Sequence, residues 1–67
     1  MANNNSFIRL SEVMRRTGYG RAWIYRLISL GRFPKPVKIG PRSVAFIESE
    51  VDECINQRID ASRNNAA

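Results

Sequence analysis

The segment 17–32 constrains the fold more than any other part of the chain, because its own residues define where a helix begins and ends. On one side, apolar side chains recur at helical spacing: Ile24, Leu27 and Ile28. The opposite side carries Ala22, Arg26 and Ser29. Gly18 and Gly20 permit a tight turn before this helix, and Gly31 permits a left-handed residue after it. We therefore predict an amphipathic helix over residues 21–30, with one buried face and one outward face.

A shorter helix is predicted before this turn, over residues 11–16, with Ser11 as its N-cap and Glu12 in its first turn. Its inward side would carry Leu10, Val13 and Met14. A helix, a short glycine-containing turn and a second helix form the helix-turn-helix pattern. Because the second helix carries basic residues, we predict that it inserts into the major groove of DNA.

Two arginines, Arg15 and Arg16, occupy the end of the first helix, where the helix dipole stabilises positive charge. This placement is sufficient to explain a structural role. We interpret one of the two arginines as structural in this way and the other as a phosphate contact. The sequence does not distinguish the two.

The segment after the second helix is predicted to be extended, because its two prolines exclude helix. Phe33, at the start of this segment, is expected to pack beneath the second helix. Residues 37–39 then alternate apolar and basic side chains, a turn follows at residues 40–43, and an apolar stretch resumes at residues 44–46. This pattern predicts a two-stranded hairpin.

A hairpin directly after a helix-turn-helix is called a wing, and the predicted wing carries Lys38 and Arg42 on its exposed side and tip. These residues and Lys35 have the same charge sign as the second helix, so we favour a contact with the DNA backbone. The alternative is a structural ribbon that closes the core and is basic without binding DNA.

The last helix is predicted over residues 48–60, with a structural role as the lid of the core. Its apolar side carries Ile47, Val51, Cys54, Ile55 and Ile59. Its first turns carry the acids Glu48, Glu50, Asp52 and Glu53. Because Cys54 falls on the apolar side, we interpret it as a buried, inert thiol rather than a nucleophile.

Together these elements predict one domain over residues 7–60 that is mainly α with a small β-hairpin. Its architecture would be a winged helix-turn-helix of three helices plus a two-stranded wing. Residues 7–10 form either a brief strand or an extended segment. Residues 1–6 and 61–67 are predicted to be disordered tails, since they are polar and small.

The net charge of +5 is unevenly distributed along the chain. Residues 9–42 contain nine basic residues and one acid, a net charge of +8, whereas residues 43–67 contain two basic residues and five acids, a net charge of −3. Such polarity suits a nucleic acid on the positive side, and a solvated basic surface is the alternative. The candidate DNA contacts are Arg21, Trp23, Tyr25, Arg26, Lys35, Lys38 and Arg42.

Arg21 and Arg26 are the strongest of these candidates, because arginine pairs both with phosphate and with the O6/N7 edge of guanine. The hydroxyl group of Tyr25, on the flank of the helix, suits a phosphate oxygen. For Trp23 we favour packing at the core or its rim over a DNA contact, because a tryptophan in so small a domain is usually highly buried.

The residue types exclude several other classes of function. With no histidine and one cysteine, the chain lacks the ligands for a zinc site and the partner for an internal disulfide, which favours a reducing, cytoplasmic compartment. No apolar run reaches membrane-spanning length, and the first residues do not resemble a signal peptide. We therefore predict a protein that is not an enzyme and has no cofactor, metal or membrane association.

A family resemblance extends over residues 7–59. It rests on Phe7, Ile8, Arg9, Leu10, Val13, Thr17, Gly18, Arg21, Ile24, Tyr25, Gly31, the run 33–40, Arg42, Ser43, Val44, Glu50 and Val51. On these residues the chain resembles the AlpA-like phage regulators, small winged helix-turn-helix proteins related to excisionases and to the DNA-binding part of MerR-type regulators. The resemblance implies control of transcription, or of the direction of site-specific recombination, in a prophage or other integrated element.

The matched motif implies DNA contacts by Arg21, Tyr25, Lys38 and Arg42, a set to which helical geometry adds Arg26. The chain departs from the family pattern at three positions. Gly20 replaces a frequent serine, Phe46 replaces a tryptophan, and Trp23 replaces a small polar residue. The change at Trp23 implies a base preference that differs from that of relatives.

Two functions stay open at this point. The first is a sequence-specific DNA-binding protein that regulates a promoter or bends an attachment site, with several copies on adjacent sites because one small monomer covers few base pairs. The second is a protein-interaction module that docks on an integrase or another regulator through its last helix. An integrase or RNA polymerase is accordingly a candidate partner besides double-stranded DNA.

Overall fold

Three helices and three short strands make up the fold in the computed structural model, which describes residues 6–64. In chain order the elements are β1 (Phe7–Ile8), α1 (Leu10–Thr17), α2 (Arg21–Ser29), β2 (Val37–Gly40), β3 (Ser43–Ile47) and α3 (Glu48–Asn64). A short turn separates α1 from α2, and the β2–β3 hairpin follows them. The predicted fold class, a mainly α winged helix-turn-helix with three helices, is confirmed.

The three strands form one antiparallel sheet with β3 in the centre. On one edge, β2 pairs with β3 and places Lys38 opposite Val44. On the other edge, β1 pairs with β3 and places Ile8 opposite Phe46. The sequence left residues 7–10 open between a strand and an extended segment, and the first two of them form β1. The wing therefore supplies two strands of a three-stranded sheet, and its strand β3 also pairs with β1.

Apolar side chains from α1, α2, β3, α3 and the segment before β2 meet in one core. The buried members of this cluster are Val13, Ile24, Leu27, Phe33, Phe46 and Val51. The rings of Phe33 and Phe46 are close to perpendicular, with centroids 6.0 Å apart. Phe33 shares this cluster with the two buried residues of α2, which confirms its predicted position beneath that helix.

The start of α1 differs from the prediction. The helix begins at Leu10, and its N-cap is Arg9, whose carbonyl group accepts hydrogen bonds of 3.0 Å from the N–H groups of Glu12 and Val13. The predicted cap at Ser11 is wrong. Pairing of β1 with β3 keeps the chain extended up to Arg9, so the helix starts directly after the strand and Ser11 lies inside it.

α3 continues through Asn64, so its predicted end at Asp60 is wrong. Residues 61–64 are helical rather than part of a disordered tail. The sequence contains no glycine or proline after position 41, and these are the residues that most strongly stop a helix.

The chain before β1 is fixed to the start of α3. The carbonyl group of Ser6 accepts a hydrogen bond of 2.7 Å from the N–H group of Glu48, so Ser6 does not belong to a free tail as predicted. The remaining parts of the predicted tails, 1–5 and 65–67, lie outside the described residues. Along residues 6–64, no helix combines the length and apolar character needed to cross a bilayer.

Arg16 joins α1 to the first turns of α3. Its guanidinium group donates hydrogen bonds to the carboxylates of Glu12 (2.7 Å), Glu48 (2.7 Å) and Asp52 (3.1 Å). Among residues 6–64, Arg15 pairs with Glu12 alone, and its side chain is 72% exposed against 24% for Arg16. Arg16 is therefore the structural arginine of the pair, and Arg15 remains at the surface.

The ion pairs of Glu12 predict a loss of stability in acid. Hydrogen bonds from Arg15 and then Arg16 lower the pKa of Glu12 from 4.5 to about 2. Because the folded state has the lower pKa, this carboxylate stabilises the fold above about pH 4.5, and the contribution is lost as the pH falls toward 2. We expect the thermal unfolding midpoint, followed by circular dichroism, to fall through this range and Glu12→Gln to flatten the dependence. Identical pH profiles for the two proteins would contradict this role of Glu12.

Candidate nucleic-acid interface

α2 presents one free face to solvent. Its buried side carries Ile24 and Leu27. Its opposite side is exposed and carries Ala22, Arg26 and Ser29. No other element within residues 6–64 covers this side, so the predicted outward face of the helix is confirmed and is accessible to a groove of DNA.

The C-terminal end of α2 is fixed by Gly31, as predicted. Gly31 adopts the left-handed conformation, with φ 73°, and its N–H group donates to the carbonyl of Ile28. The N–H group of Arg32 donates to the carbonyl of Leu27 at 2.8 Å. These two bonds form a Schellman C-cap, which satisfies carbonyl groups of the last turn. The helix ends at Ser29, one residue before its predicted end.

The turn between α1 and α2 determines how α2 begins. Gly18 ends α1 with φ 75°, and its N–H group donates to the carbonyl of Met14 at 2.8 Å. Gly20 is the N-cap of α2 with φ −78°, and no side chain there accepts a hydrogen bond from the helix. The first N–H groups of α2 therefore have no N-cap side chain as acceptor. The positive end of the helix dipole can instead favour an anion such as a phosphate group.

Two aromatic rings stand together at the start of α2. Tyr19 and Trp23 make an edge-to-face contact, with ring centroids 6.4 Å apart and an interplanar angle of 84°. Tyr19 packs against the core, whereas Trp23 is 44% exposed. Of the two positions predicted for Trp23, the core is excluded and the rim is the one found, because the half-exposed ring packs on Tyr19 at the edge of the core. Sequence reasoning missed Tyr19, because this residue lies in the turn before α2, where helical spacing does not apply.

The basic residues that were predicted to contact DNA, in α2, in the wing and in the segment between them, make no salt bridge with any of the residues 6–64. They are Arg21, Arg26, Lys35, Lys38 and Arg42. Three of the acids, Glu12, Glu48 and Asp52, are instead paired with Arg15 and Arg16. The positive charge of α2 and the wing is thus not neutralised within the described residues, and it is available to phosphate groups.

The wing places its two basic residues at the surface. Lys38 on β2 and Arg42 in the hairpin turn are both exposed, as predicted. Lys38 lies opposite Val44, so the two side chains share one face of the sheet. Because Val44 is exposed as well, this face of the hairpin is open to solvent.

Lys35 lies in a different environment from the wing. It lines a groove of about 660 Å³ between the segment 31–37 and α3. Glu50 and Glu53 of α3 line the same groove. Because carboxylates line this groove, Lys35 is less favourably placed for binding a polyanion than the two basic residues of the wing.

The single thiol suits packing rather than chemistry. Cys54 is half-buried, with its sulfur atom 4.0 Å from the carbonyl oxygen of Arg32. Burial raises the pKa of Cys54, against a smaller opposing effect of Arg58. A raised pKa reduces the fraction of reactive thiolate, so the predicted packing role is the appropriate one.

Comparison with known proteins gives two relatives. The chain is 38% identical to the DNA-binding transcriptional activator AlpA of Escherichia coli (strain K12), across 84% of this chain and 93% of that protein. It is 43% identical to an uncharacterized protein, ORF88, of Enterobacteria phage P4, across 79% of this chain. The second match spans 60% of the length of the phage protein.

A match to one protein family extends over most of the chain. Residues 6–59 match the protein family described as Prophage CP4-57 regulatory protein (AlpA). This range includes α1, α2, the wing and the larger part of α3. The resemblance to the AlpA-like phage regulators is confirmed, and the chain belongs to the AlpA family of prophage regulatory proteins.

Proposed function

We propose that this chain is a sequence-specific double-stranded DNA-binding protein that regulates transcription in a prophage or other integrated element. The observation that carries the proposal is that Arg21 and Arg26 of α2 are both exposed and have no acidic partner among residues 6–64. The E. coli relative, a DNA-binding transcriptional activator, supports the same function. In this role the protein acts in the cytoplasm of the bacterial host.

In the proposed complex, α2 lies in the major groove. Arg26 projects from its exposed side, and a guanidinium group there can donate two hydrogen bonds to O6 and N7 of a guanine. Arg21 stands at the first turn, beside the free N–H groups of the helix, which suits a phosphate group. Tyr25 is 45% exposed, and its hydroxyl group suits a second backbone oxygen. α2 thus combines one base contact with two contacts that fix its orientation.

Outside α2, the wing and α1 supply further contacts with the DNA backbone. Lys38 and Arg42 extend the unpaired positive charge along the hairpin. Arg15 adds a contact from α1, because its side chain is mostly exposed while Arg16 is held by three carboxylates. Such contacts carry no base preference but position α2 on the duplex.

The proposed backbone contacts predict a strong dependence of DNA affinity on salt. The logarithm of the association constant should fall linearly with the logarithm of salt concentration, with a slope of about −0.9 for each phosphate contacted. We expect Lys38→Ala and Arg42→Ala each to reduce the magnitude of this slope by about 0.9. The wild type is first used to select a duplex from a random pool, and failure to enrich any sequence would contradict specific binding. Fluorescence anisotropy on the selected duplex then measures the slope.

Arg63→Ala is the matched control for these two variants. It removes the same charge from the last turn of α3, outside α2 and the wing. The slope should equal that of the wild type. An equal loss of slope in all three variants would show that net charge, and not the wing, determines binding.

A second candidate function is docking on an integrase, another regulator or RNA polymerase through the outer face of α3. Glu50, Glu53 and Gln57 are exposed there, and neither acid forms a salt bridge within residues 6–64. With this surface, a DNA-bound chain could act as an excisionase that recruits a recombinase, with several copies on adjacent sites. Co-purification of each partner with a Glu50→Gln/Glu53→Gln variant tests this function. Loss of the partner with unchanged DNA affinity supports docking, and retention of the partner opposes it.

A further inference from the structure

The exposed surface of α2 is chemically mixed. Beside Arg26 it carries the methyl group of Ala22 and part of the indole ring of Trp23. Trp23 precedes Arg26 by three residues and Ala22 precedes it by four, so both side chains lie one turn before the arginine on adjoining parts of the surface. They belong to the first turn of α2, and the N-terminal residues of a recognition helix are the ones that meet base edges.

The polar side chains of α2 restrict which bases the helix can bind. Residues 21–29 contain no asparagine, glutamine, aspartate or glutamate, the residues that pair with adenine or with the amino group of cytosine. The hydroxyl group of Ser29 donates a 2.7 Å hydrogen bond to the carbonyl of Arg26 and is occupied in this way. Guanine, through an arginine, is thus one base that α2 can select. The other is thymine, which presents an apolar C5-methyl group in the major groove.

Trp23 is held in position for such an apolar contact. The ring of Tyr19 meets it edge to face at 6.4 Å, and Tyr19 is itself packed against the core. This contact covers one part of the indole ring and leaves the rest open to water. Because the ring is already positioned by its neighbour, less side-chain entropy remains to be lost when a methyl group packs on it.

We propose that Trp23, oriented by Tyr19, contacts the C5-methyl group of a thymine in the major groove, close to the guanine bound by Arg26. The inference rests on the proposed function, since it requires α2 to lie in the major groove. It assigns Trp23 a specificity-determining role and Tyr19 a positioning role. It also defines the target as a site in which a guanine and a thymine lie within the few base pairs that α2 spans.

The test replaces each thymine of the selected duplex, one at a time, with deoxyuridine. This change removes only the methyl group and keeps every hydrogen-bonding group of the base. At one position or two neighbouring positions, we expect wild-type affinity to fall about 3- to 5-fold, the effect of one buried methyl group. 5-Bromodeoxyuridine at the same position should restore affinity, because bromine fills the space of the methyl group. Trp23 is the single tryptophan of the chain, so its fluorescence reports the contact directly.

Four variants separate this contact from a general packing role. Trp23→Ala and Tyr19→Ala should bind the thymine and uracil duplexes equally, whereas Tyr19→Phe should keep the discrimination because it keeps the ring. Leu30→Ala, exposed seven residues after Trp23, should also keep it. If the wild type enriches a sequence but tolerates uracil at every position, the inference is overturned and the proposed function stands. If it enriches no sequence, the proposed function itself fails.

Discussion

An Arg26→Ala variant should bind the selected duplex about 10- to 100-fold more weakly than the wild type, the expected cost of losing one bidentate arginine–guanine pair. Arg26 lies on the exposed side of α2, and no acid within residues 6–64 competes for its guanidinium group. The variant should also lose its preference for guanine at one position of the site. Anisotropy titrations against the selected duplex and its three single-base variants at that position measure both effects.

Arg26→Lys is the control that separates charge from base contact. Lysine keeps the positive charge but lacks the planar fork that matches O6 and N7 together. Its affinity for unrelated duplexes should therefore stay near that of the wild type while its preference for guanine falls. If Arg26→Ala weakens binding to all duplexes by the same factor, Arg26 contacts the backbone and not a base.

Phe46→Ala should remove much or all of the free energy of unfolding. Phe46 is 1% exposed, lies in the central strand and packs on Phe33, so its loss leaves a cavity where helices and sheet meet. Truncation of a buried phenylalanine costs about 3–5 kcal/mol. A domain of this length has a total stability of about 3–10 kcal/mol. Circular dichroism during urea denaturation should show either no cooperative transition or one at a much lower midpoint.

Val44→Ala is the matched control in the same strand. Val44 is two residues away and 43% exposed, so its truncation should change the free energy of unfolding by less than about 1 kcal/mol. A Phe46→Ala protein with the same denaturation midpoint as Val44→Ala would contradict the position of the core described above.

The central part of the fold could be predicted because the residues that determine it are close together in the sequence. Gly31 marks the end of α2 through a conformation that glycine favours, and the spacing of Ile24 and Leu27 identifies the buried face. Once that face is known, the exposed position of Arg26 follows from helical geometry alone. The hairpin is equally local, since its turn and apolar strands are adjacent in sequence.

The remaining features depend on residues that are distant in sequence. β1 contains two residues and is a strand only because β3 supplies its partner, a pairing that also moves the start of α1. The choice between Arg15 and Arg16 depends on carboxylates at Glu48 and Asp52, more than thirty residues away. The exposure of Trp23 depends on the path of the turn that brings Tyr19 against it. Sequence periodicity contains none of this information.

The central claim is that α2 and the wing form the surface that contacts DNA. Its most direct test is a nuclear magnetic resonance titration of the ¹⁵N-labelled chain with the selected duplex. The largest amide shift changes should fall in α2 (Arg21–Ser29) and in the hairpin formed by β2 (Val37–Gly40) and β3 (Ser43–Ile47). The outer face of α3 should show little change. Changes centred on that outer face, with α2 unaffected, would contradict the claim.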